Sequence, residues 1–296
     1  MTGLVKWLAI VNPAAGRAQE AEHLLGRLRE LKDVDAQIVH TTVPGDATRL
    51  ARDAAGFDGV IAIGGDGTIA EVLQGMERDR QLLAVLPAGH GNCLARDLGV
   101  ADADRALTAL RRCDCRNLDL MEARIEFANG RVERRLCAST LAVGYVTDVV
   151  TCGRQRLGGL GHAAYAASTM IVIPKPFEAR LSVGDGVGQP GRYTGIVINN
   201  TAHLANFRAF PQARADDGLL DVMEQGYRWP RQLLHNLAVL SGTRAYGPKG
   251  LRQAAAVRLE LGKAHTLMAD GELLHEVTTV AVRCRPAAVR CVVRSA

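Results

Sequence analysis

The chain has 296 residues, a formal net charge of +5 and 23% charged residues. That length suits two modest domains or one large one, and a hydrophobic share of 48% is ordinary for a globular protein. Aromatic residues make up only 4%, which argues against a nucleic-acid surface built on base stacking. We therefore expect a globular protein without a nucleic-acid partner.

The cysteines and the apolar stretches indicate the compartment. Seven cysteines lack the spacing of a disulfide framework or a zinc site. Lys6 interrupts the N-terminal apolar run, which then meets Asn12-Pro13, so the pattern of a signal peptide is missing. The longest uncharged stretch, Leu157–Pro174, is rich in glycine in its first half and predicts a buried or lipid-facing helix. We expect a cytoplasmic protein with reduced thiols.

The first part of the chain alternates between strand and helix patterns. Apolar runs predict strands at Leu4–Val11, Val34–Thr41, Gly59–Ile63 and Leu82–Leu86. Helical spacing predicts helices at Glu20–Leu31, from Asp46 to about Ala55, from Ile69, from Cys93 and over about Asp102–Arg112. This alternation indicates an α/β domain with a parallel sheet.

After Leu120 the pattern becomes rich in strands. Asn129-Gly130 predicts a hairpin turn between two alternating runs. The strand-like runs are Glu122–Phe127, Val132–Ala138, Glu178–Val183, Tyr193–Asn199, Leu219–Glu224, Ala256–Leu261, Thr266–Ala269, Val277–Cys284 and Val289–Val293. Helical patterns cover His162–Val172 and Pro230–Leu240. The sequence predicts an α/β domain at 1–121 and a β-rich domain at 122–296, with the last residues able to pack back on the first domain.

A glycine-dense turn in Gly59–Val72 separates an apolar strand from a helical pattern. Glycines there permit close approach of the backbone and positive φ. A strand, such a turn and a helix N-terminus together bind anions, most often phosphate. Asp66 would repel phosphate unless it holds a metal ion, a water or a ribose hydroxyl. We interpret Gly64–Thr68 as a nucleotide-phosphate loop; the alternative is a tight turn with Asp66 as N-cap.

Three further loops follow predicted strand ends. Asn12, Thr41 and the segment Gly89–Asn92 each come directly after an apolar run or at its last residue. In parallel sheets, ligands bind beyond the carboxyl ends of the strands. The four loops are therefore expected to line one edge of the sheet.

Two acidic turns lie in the predicted β-rich domain. Asp216–Asp221 is a turn running into a strand, which suits either a hard-cation site or a solvated turn. Asp270-Gly271-Glu272 is a turn between two apolar runs, where a raised carboxylate pKa would suit general-base chemistry. Taken alone, the residues of both turns favour the plain alternatives, a solvated turn for the first and a hairpin turn for the second.

Several blocks resemble the diacylglycerol kinase and sphingosine kinase catalytic-domain family, within a looser superfamily that includes NAD kinases and phosphofructokinases. The central block is Gly64-Gly65-Asp66-Gly67-Thr68. The others, in the expected order, are Asn12-Pro13 with Gly16, Thr41 with Pro44-Gly45-Asp46-Ala47, Leu86–Asn92 with Ala95-Arg96, Asp119, Val143-Gly144-Tyr145, Pro211 with Asp216–Val222, and Asp270-Gly271-Glu272. The match covers nearly the whole chain and is similar to the soluble bacterial lipid kinases.

The resemblance implies ATP- and Mg²⁺-dependent phosphorylation of a lipid hydroxyl at a membrane surface. It implies Glu272 as the general base, with Asp66 and Asp119 arranging metal and water. The loops expected to bind nucleotide contribute Asn12, Thr41, Gly64, Gly65, Asp66, Gly67, Thr68, Ile69, Ala70, Gly89, His90 and Asn92. A structural magnesium site would use Asp217 with the carbonyls of Arg214 and Leu219.

The chain departs from the family at three positions. Where the family usually has Thr, Asp and often Asn, this sequence has His90, Cys93 and Ala70. The glutamate at 272 is intact, which indicates an active enzyme. His90 is able to donate a hydrogen bond to phosphate, whereas Cys93 cannot supply a carboxylate.

Two other functions compete with a lipid kinase. A NAD kinase shares the GGDGT motif and a β-rich second domain, but Leu86–Arg96 and Asp216–Val222 resemble lipid-kinase blocks. A non-catalytic regulator that binds lipid or nucleotide has only the changes at 90 and 93 in its favour. Diacylglycerol, a ceramide or sphingoid base, and phosphatidylglycerol all remain candidate substrates, and a homodimer is plausible.

Overall fold

The chain forms two units, Met1–Leu120 with Pro286–Ala296, and Met121–Arg285. The computed structural model describes residues 4–16, 18–156, 163–204, 207–226 and 251–294, with the single positions 231, 234 and 238. Most of the predicted helix Pro230–Leu240 therefore lies outside the described residues, as does the start of the one predicted from His162.

The first unit contains a parallel sheet. Its strands are β1 (Lys6–Val11), β2 (Asp35–His40), β3 (Gly59–Gly64) and β4 (Leu82–Pro87), in the order β4-β3-β1-β2. Every residue of β3 and β4 is buried, as expected for parallel strands covered by helices on both faces. The edge strand β2 instead alternates between exposed and partly buried residues.

In its described residues this unit has the helices α1 (Ala18–Glu30), α2 (Asp46–Arg52), α3 (Asp66–Gly75), α4 (Cys93–Asp97) and α5 (Ala103–Arg112). The side chain of Asp102 accepts the Arg105 N–H at 2.9 Å and caps α5, which ends at Cys113 with a φ of 51°. Helix α3 begins at Asp66, three residues before the predicted start at Ile69, because Gly65 already turns the chain out of β3.

The second unit is built from antiparallel strands. They are β5 (Cys115–Phe127), β6 (Val132–Cys137), β7 (Thr140–Gly144), β8 (Phe177–Val183), β9 (Gln189–Tyr193), β10 (Gly195–Asn199), β11 (Leu220–Gln225), β12 (Leu251–Ala254), β13 (Ala256–Ala269) and β14 (Glu272–Val292). Strands β12-β11-β10-β7-β13-β14 pair in that order, with β5–β6 joined to β14 and β8–β9 to β13. Among the described residues, helices α6 (Tyr145–Arg156) and α7 (Ala163–Ile171) accompany them.

Strands β5 and β14 contribute residues to both units. The end of β14 pairs in parallel with β4, Arg290 with Leu82 and Cys291 with Leu83. The α/β unit with a parallel sheet, followed by a β-rich unit, confirms the predicted fold class.

The long strands differ from the shorter pieces predicted. Strand β13 unites two predicted strands across register shifts between Glu260 and Leu267, which interrupt the apolar alternation. Strand β14 likewise unites two predicted strands across Pro286. The predicted strand Tyr193–Asn199 is instead two strands that meet at Thr194. Strand β7 and helix α6 were not predicted. Apolar residues continue from β7 past Gly144 into α6, so the local pattern shows no boundary between the two elements.

Within the residues described, no helix is both long enough and apolar enough to span a lipid bilayer. All seven cysteines lie among the described residues, and no two of them form a disulfide bond.

Candidate active site

Four loops follow the carboxyl ends of the parallel strands in the first unit. Val11 pairs with both Ile63 and His40, and Gly64 pairs with Pro87, so the strand ends are level. The loops that begin at Asn12, Thr41, Gly65 and Ala88 therefore emerge from one edge, as predicted from the sequence.

The loop after β3 is closely packed against the loop after β4. A β-carbon on Gly64 would lie 2.4 Å from the Thr68 Oγ1 atom, and one on Gly65 would lie 3.1 Å from the Gly89 Cα atom. By contrast, a β-carbon on Gly67 would meet no protein atom within 4 Å. None of these three glycines has a positive φ, so backbone strain does not require glycine at these positions. Glycine is favoured at 64 and 65 by the close approach of neighbouring atoms, and at 67 it leaves open space.

Helix α3 presents its N-terminus to this edge. Its cap is Gly65, with a φ of −97°, and no side chain caps the helix there. The alternative interpretation, with Asp66 as the N-cap, is therefore wrong. The Asp66 Oδ1 atom instead accepts the backbone N–H of Cys93 at 2.8 Å, which joins the loops after β3 and β4. Backbone N–H groups in a first helical turn suit an anion.

Asn12 holds the loop after β1 against the same helix. Its Nδ2 donates to Thr68 Oγ1 at 3.0 Å, and its Oδ1 accepts the Ala14 N–H at 3.0 Å. Ile69 has only 1% of its surface exposed, and its N–H donates to the Gly65 carbonyl at 3.1 Å. The side chain of Ile69 therefore contributes to the core, and any contact of this residue with nucleotide would be made by its backbone.

The loop after β4 is shaped by its own side chains. The Asn92 amide accepts the Gly89 N–H at 3.0 Å and donates to the Gly89 carbonyl at 2.9 Å. Asn92 has a φ of 51°, so it supports a left-handed turn that glycine would otherwise provide. His90 lies against the first loop, since a β-carbon on Gly16 would be 2.1 Å from His90 Nδ1.

Thr41 is fixed by the backbone of β1, and the segment that leads into α2 is fixed by the Asp46 carboxylate. Thr41 is buried, and its N–H donates to the Val11 carbonyl at 2.9 Å. The Asp46 Oδ2 atom accepts the N–H groups of Thr42 and Val43 at 2.8 and 3.1 Å. The Thr42 hydroxyl, the largest contribution, and these backbone N–H groups hold the pKa of Asp46 well below its usual range.

Glu71 is a member of this edge that the sequence did not reveal. Its two carboxylate oxygens accept the N–H groups of Gly45 and Ala47 at 3.1 and 3.2 Å, at the N-terminus of α2. Gly45 is the cap residue of α2 and has no side chain for this purpose. In the sequence, Glu71 is a glutamate in the second turn of a helix that follows a glycine-rich loop. Glutamates are common on the solvated faces of helices, so this position did not stand out.

Asp119 lies on β5 and is buried, with 4% of its surface exposed. Its Oδ1 atom accepts the N–H of Ala287 at 2.8 Å, where the chain has a φ of 51°. Asp119 thus supports the backbone of β14 just after Pro286.

The turn Asp270-Gly271-Glu272 lies between β13 and β14 in the second unit. The buried Asp270 carboxylate accepts the N–H groups of Ala138, Ser139 and Thr140 at 2.7, 2.9 and 2.9 Å. Burial raises the Asp270 pKa above its usual value, although the three N–H groups act in the opposite direction. The raised carboxylate pKa expected in this turn therefore belongs to Asp270.

Glu272 is the exposed carboxylate of the same turn. Its side chain is 57% exposed and pairs with the Nη1 atom of Arg135 at 2.5 Å. The assignment of Glu272 as general base stays a prediction.

The predicted metal ligands lie in the turn before β11. The Asp217 Oδ1 atom accepts the Leu219 N–H at 3.0 Å, and Arg214 donates to Asp216 at 3.1 Å. Among the described residues, no cluster of three or more His, Cys, Asp or Glu side chains could hold a metal ion. The predicted site has a single carboxylate and two carbonyls, so it is of another kind and stays a prediction.

Comparison with known proteins identifies two matching domains. Residues 6–123 match the diacylglycerol kinase catalytic domain, and residues 144–293 match the YegS C-terminal NAD kinase beta sandwich-like domain. The diacylglycerol kinase of Bacillus subtilis (strain 168) is 30% identical over 226 residues, which cover 72% of this chain and 71% of that protein.

Two further matches agree with these. A probable lipid kinase, YegS-like, of Pseudomonas aeruginosa (strain UCBPP-PA14) is 33% identical over 186 residues, which cover 60% of this chain and 58% of that protein. A crystal structure of a diacylglycerol kinase from Bacillus anthracis str. Sterne superposes with a TM-score of 0.76 at 22% identity, covering 99% of this chain and 98% of that one. At 22% identity, the superposition on the B. anthracis structure shows the similarity of fold alone. From its two domain matches and its relatives, the chain belongs to the diacylglycerol kinase and YegS-like family of lipid kinases.

Proposed function

We propose that this lipid kinase uses ATP and Mg²⁺ to phosphorylate the hydroxyl group of a lipid such as diacylglycerol, a ceramide or a sphingoid base. The observation that carries the proposal is the loop Gly64–Thr68, where packed glycines bring an uncapped helix N-terminus to the edge formed by four loops. The B. subtilis relative is named for diacylglycerol, which makes that lipid the first to test.

The residues of the loop fit the phosphates of a nucleotide. Open space above Gly67 leaves room for a ligand atom where any other side chain would project. The first turn of α3 offers backbone N–H groups and the positive end of its dipole. His90, placed against Gly16, adds a side chain able to donate a hydrogen bond.

The donors at the turn before β11 fit a hard cation. The Asp217 carboxylate and the carbonyls of Arg214 and Leu219 are oxygen ligands, which Mg²⁺ and Ca²⁺ prefer, with waters completing the shell. When bound, ATP would supply the phosphoryl group and Mg²⁺ would offset the charge of the phosphates. Asp217→Asn should reduce stabilisation by Mg²⁺ in thermal unfolding without changing unfolding in EDTA.

Glu272 is assigned as the general base. Its carboxylate is exposed and ionisable, so it is able to take the proton of an approaching lipid hydroxyl. Asp270 contributes by holding the turn through its three backbone N–H contacts. Positioning and charge neutralisation supply most of the catalysis in phosphoryl transfer, so a single base suffices.

The decisive experiment measures phosphate transfer from labelled ATP to a panel of detergent-solubilised lipids, with Mg²⁺ and EDTA arms. NAD⁺ is included as one acceptor. Glu272→Gln should lower the rate by about 10²–10⁴-fold. Transfer to NAD⁺ alone would contradict the lipid substrate, and an unchanged rate for Glu272→Gln would contradict the assigned base. ATP binding without transfer to any acceptor would favour a regulator.

A second variant tests the nucleotide loop separately. Gly67→Ala adds a methyl group that meets no protein atom within 4 Å, so the fold should be unaffected. If phosphate occupies this space, ATP affinity should fall by about tenfold or more, as expected for a steric cost above 1 kcal/mol. Equal ATP affinity for wild type and Gly67→Ala would place the nucleotide elsewhere.

We also propose that the enzyme associates with the membrane surface through the end of α7 and the residues that follow it. Ile171 and Ile173 are 55% and 59% exposed, and the exposed Lys175 follows. Exposed isoleucines beside a cation suit the interface of an anionic bilayer. Replacing both isoleucines by serine should weaken sedimentation with phosphatidylglycerol vesicles at least about tenfold, because burying one isoleucine contributes about 1.5–3 kcal/mol. Val187→Ser, at a residue 83% exposed, is the control that should leave binding unchanged.

A further inference from the structure

The side chain of Arg135 connects β6 with the turn that begins β14. Its Nη1 atom donates to Glu272 Oε2 at 2.5 Å, and its Nη2 atom lies 3.4 Å from Glu272 Oε1. The two residues are 137 positions apart in the sequence, so only the folded chain brings them together. A planar guanidinium that faces both oxygens restricts the plane of the carboxylate.

Arg135 is the anchored partner of this pair. Its side chain is 19% exposed, against 57% for Glu272. Its Nε atom donates to Glu133 Oε1 at 3.1 Å, two residues earlier on β6. The charge of Arg135 also acts on the buried Asp270. One guanidinium therefore interacts with three carboxylates, and Glu133 holds it at Nε while Glu272 is held at the two Nη atoms.

The guanidinium keeps its charge in this setting. Partial burial opposes the charged form, but the hydrogen bond and charge of Glu272, followed by the charge of Glu133, raise the pKa of Arg135 above its usual value. This permanent positive charge maintains the ion pair that orients the Glu272 carboxylate.

The two contacts to Glu272 are unequal, and this matters for proton transfer. An ionised carboxylate has about four lone-pair sites. The contact at 2.5 Å engages Oε2 strongly, whereas 3.4 Å leaves Oε1 weakly held. Oε1 is thus the oxygen better able to accept a proton, while Oε2 keeps the side chain in place.

We propose that Arg135 is a positioning residue that orients the Glu272 carboxylate for proton abstraction, with Glu133 fixing the guanidinium. This inference rests on the proposed function, in which Glu272 is the general base. It assigns a role in the reaction to a residue of β6, a strand that contains none of the family motifs found in the sequence.

The test is a double-mutant cycle on phosphate transfer, with Arg135→Gln, Glu272→Gln and the double variant. Arg135→Gln should lower kcat by about 10–100-fold, since displacing a catalytic group by about 1 Å can cost 10²-fold. The KM for ATP should be unchanged. The double variant should be no slower than Glu272→Gln alone, because Arg135 acts through Glu272. Arg135→Lys should recover part of the rate, since one ammonium cannot reproduce the planar fork.

Arg134→Gln is the matched control, because Arg134 is the exposed neighbour on β6 whose side chain projects from the opposite face. It should retain the wild-type rate. An unchanged kcat for Arg135→Gln, or losses that multiply in the double variant, would overturn the inference while leaving the kinase function intact. Lack of transfer by the wild type would overturn the proposed function, and the inference with it.

A purely structural role of Arg135 predicts another result. Arg135→Gln and Arg135→Lys would then lose thermal stability and rate together, and the loss would persist in the background of Glu272→Gln. Thermal unfolding of all variants beside the kinetic cycle separates the two roles.

Discussion

A β-carbon on Gly89 would lie 2.4 Å from the Cα atom of Gly65. Below 3.0 Å a real β-carbon does not fit, and here the atom in its path is backbone. The loops after β3 and β4 therefore touch main chain to main chain, and the shape of the candidate phosphate site depends on two glycines from different loops.

Gly89→Ala should displace the loop that contains Gly65. We expect a loss of stability of about 1–3 kcal/mol, as for other overpacked sites, and weaker binding of ATP. Thermal unfolding and ATP titration measure the two effects. Gly67→Ala is the control for stability, since its methyl group meets open space. Normal stability of Gly89→Ala would show that the two loops separate easily.

The Asp270 carboxylate should be essential to the second unit. In Asp270→Ala, three backbone N–H groups lose their acceptor. Each unsatisfied buried donor costs about 1–3 kcal/mol, so we expect a loss of at least about 3 kcal/mol in urea unfolding. Asp270→Asn keeps one acceptor oxygen and should lose less. The exposed Asp185→Ala should change stability by less than about 0.5 kcal/mol. Similar losses for Ala at 270 and at 185 would contradict the role of these contacts.

Asp46 should make the first unit sensitive to acid. Its folded pKa lies below the ordinary value of 3.8, chiefly through the Thr42 hydroxyl. Its contribution to stability is therefore present above that value and is lost as the pH falls through the folded pKa. Asp46→Asn should flatten the fall in stability between about pH 5 and pH 2 in urea unfolding. Asp53→Asn, at an exposed partner of Arg49, should keep the wild-type slope.

Cys113 should be the most reactive thiol. A hydrogen bond from the Cys115 side chain lowers its pKa from 9.0 to about 7, with a smaller effect from Arg290. Iodoacetamide at neutral pH should label Cys113 first, as read by mass spectrometry, because the thiolate is the nucleophile. Cys115→Ala should slow this labelling. The buried Cys137 should stay unlabelled. Equal rates at Cys113 and Cys137 would disprove the assignment.

The sequence was sufficient for the parallel sheet and its loops. Strands β3 and β4 are uninterrupted apolar runs that end in glycine-rich turns, so both their burial and the position of the loops could be predicted. The contacts between the loops were not predictable. Whether Gly65 faces Gly89, or Asn12 meets Thr68, depends on strand register and spacing across the sheet.

The boundaries in the second unit were harder to predict. The register shifts in β13 and Pro286 in β14 interrupt the alternation of apolar residues without ending either strand. Each strand continues beyond its irregular position because its backbone forms hydrogen bonds with neighbouring strands. These partners are distant in sequence, so the local pattern contains no sign of them.

The sequence by itself determined the order of the α/β and β-rich units and the glycine loop after β3, because each depends on short stretches of apolar period and glycine. Glu272 was indicated by the family resemblance, and its role stays a prediction. The tertiary structure alone decided which carboxylates are buried and what holds them. Asp270 is fixed by backbone N–H groups from the start of β7, and Glu272 by a guanidinium from β6. The physical reason is that hydrogen bonds and ion pairs act over about 3 Å in space, and the separation of two residues along the chain does not enter.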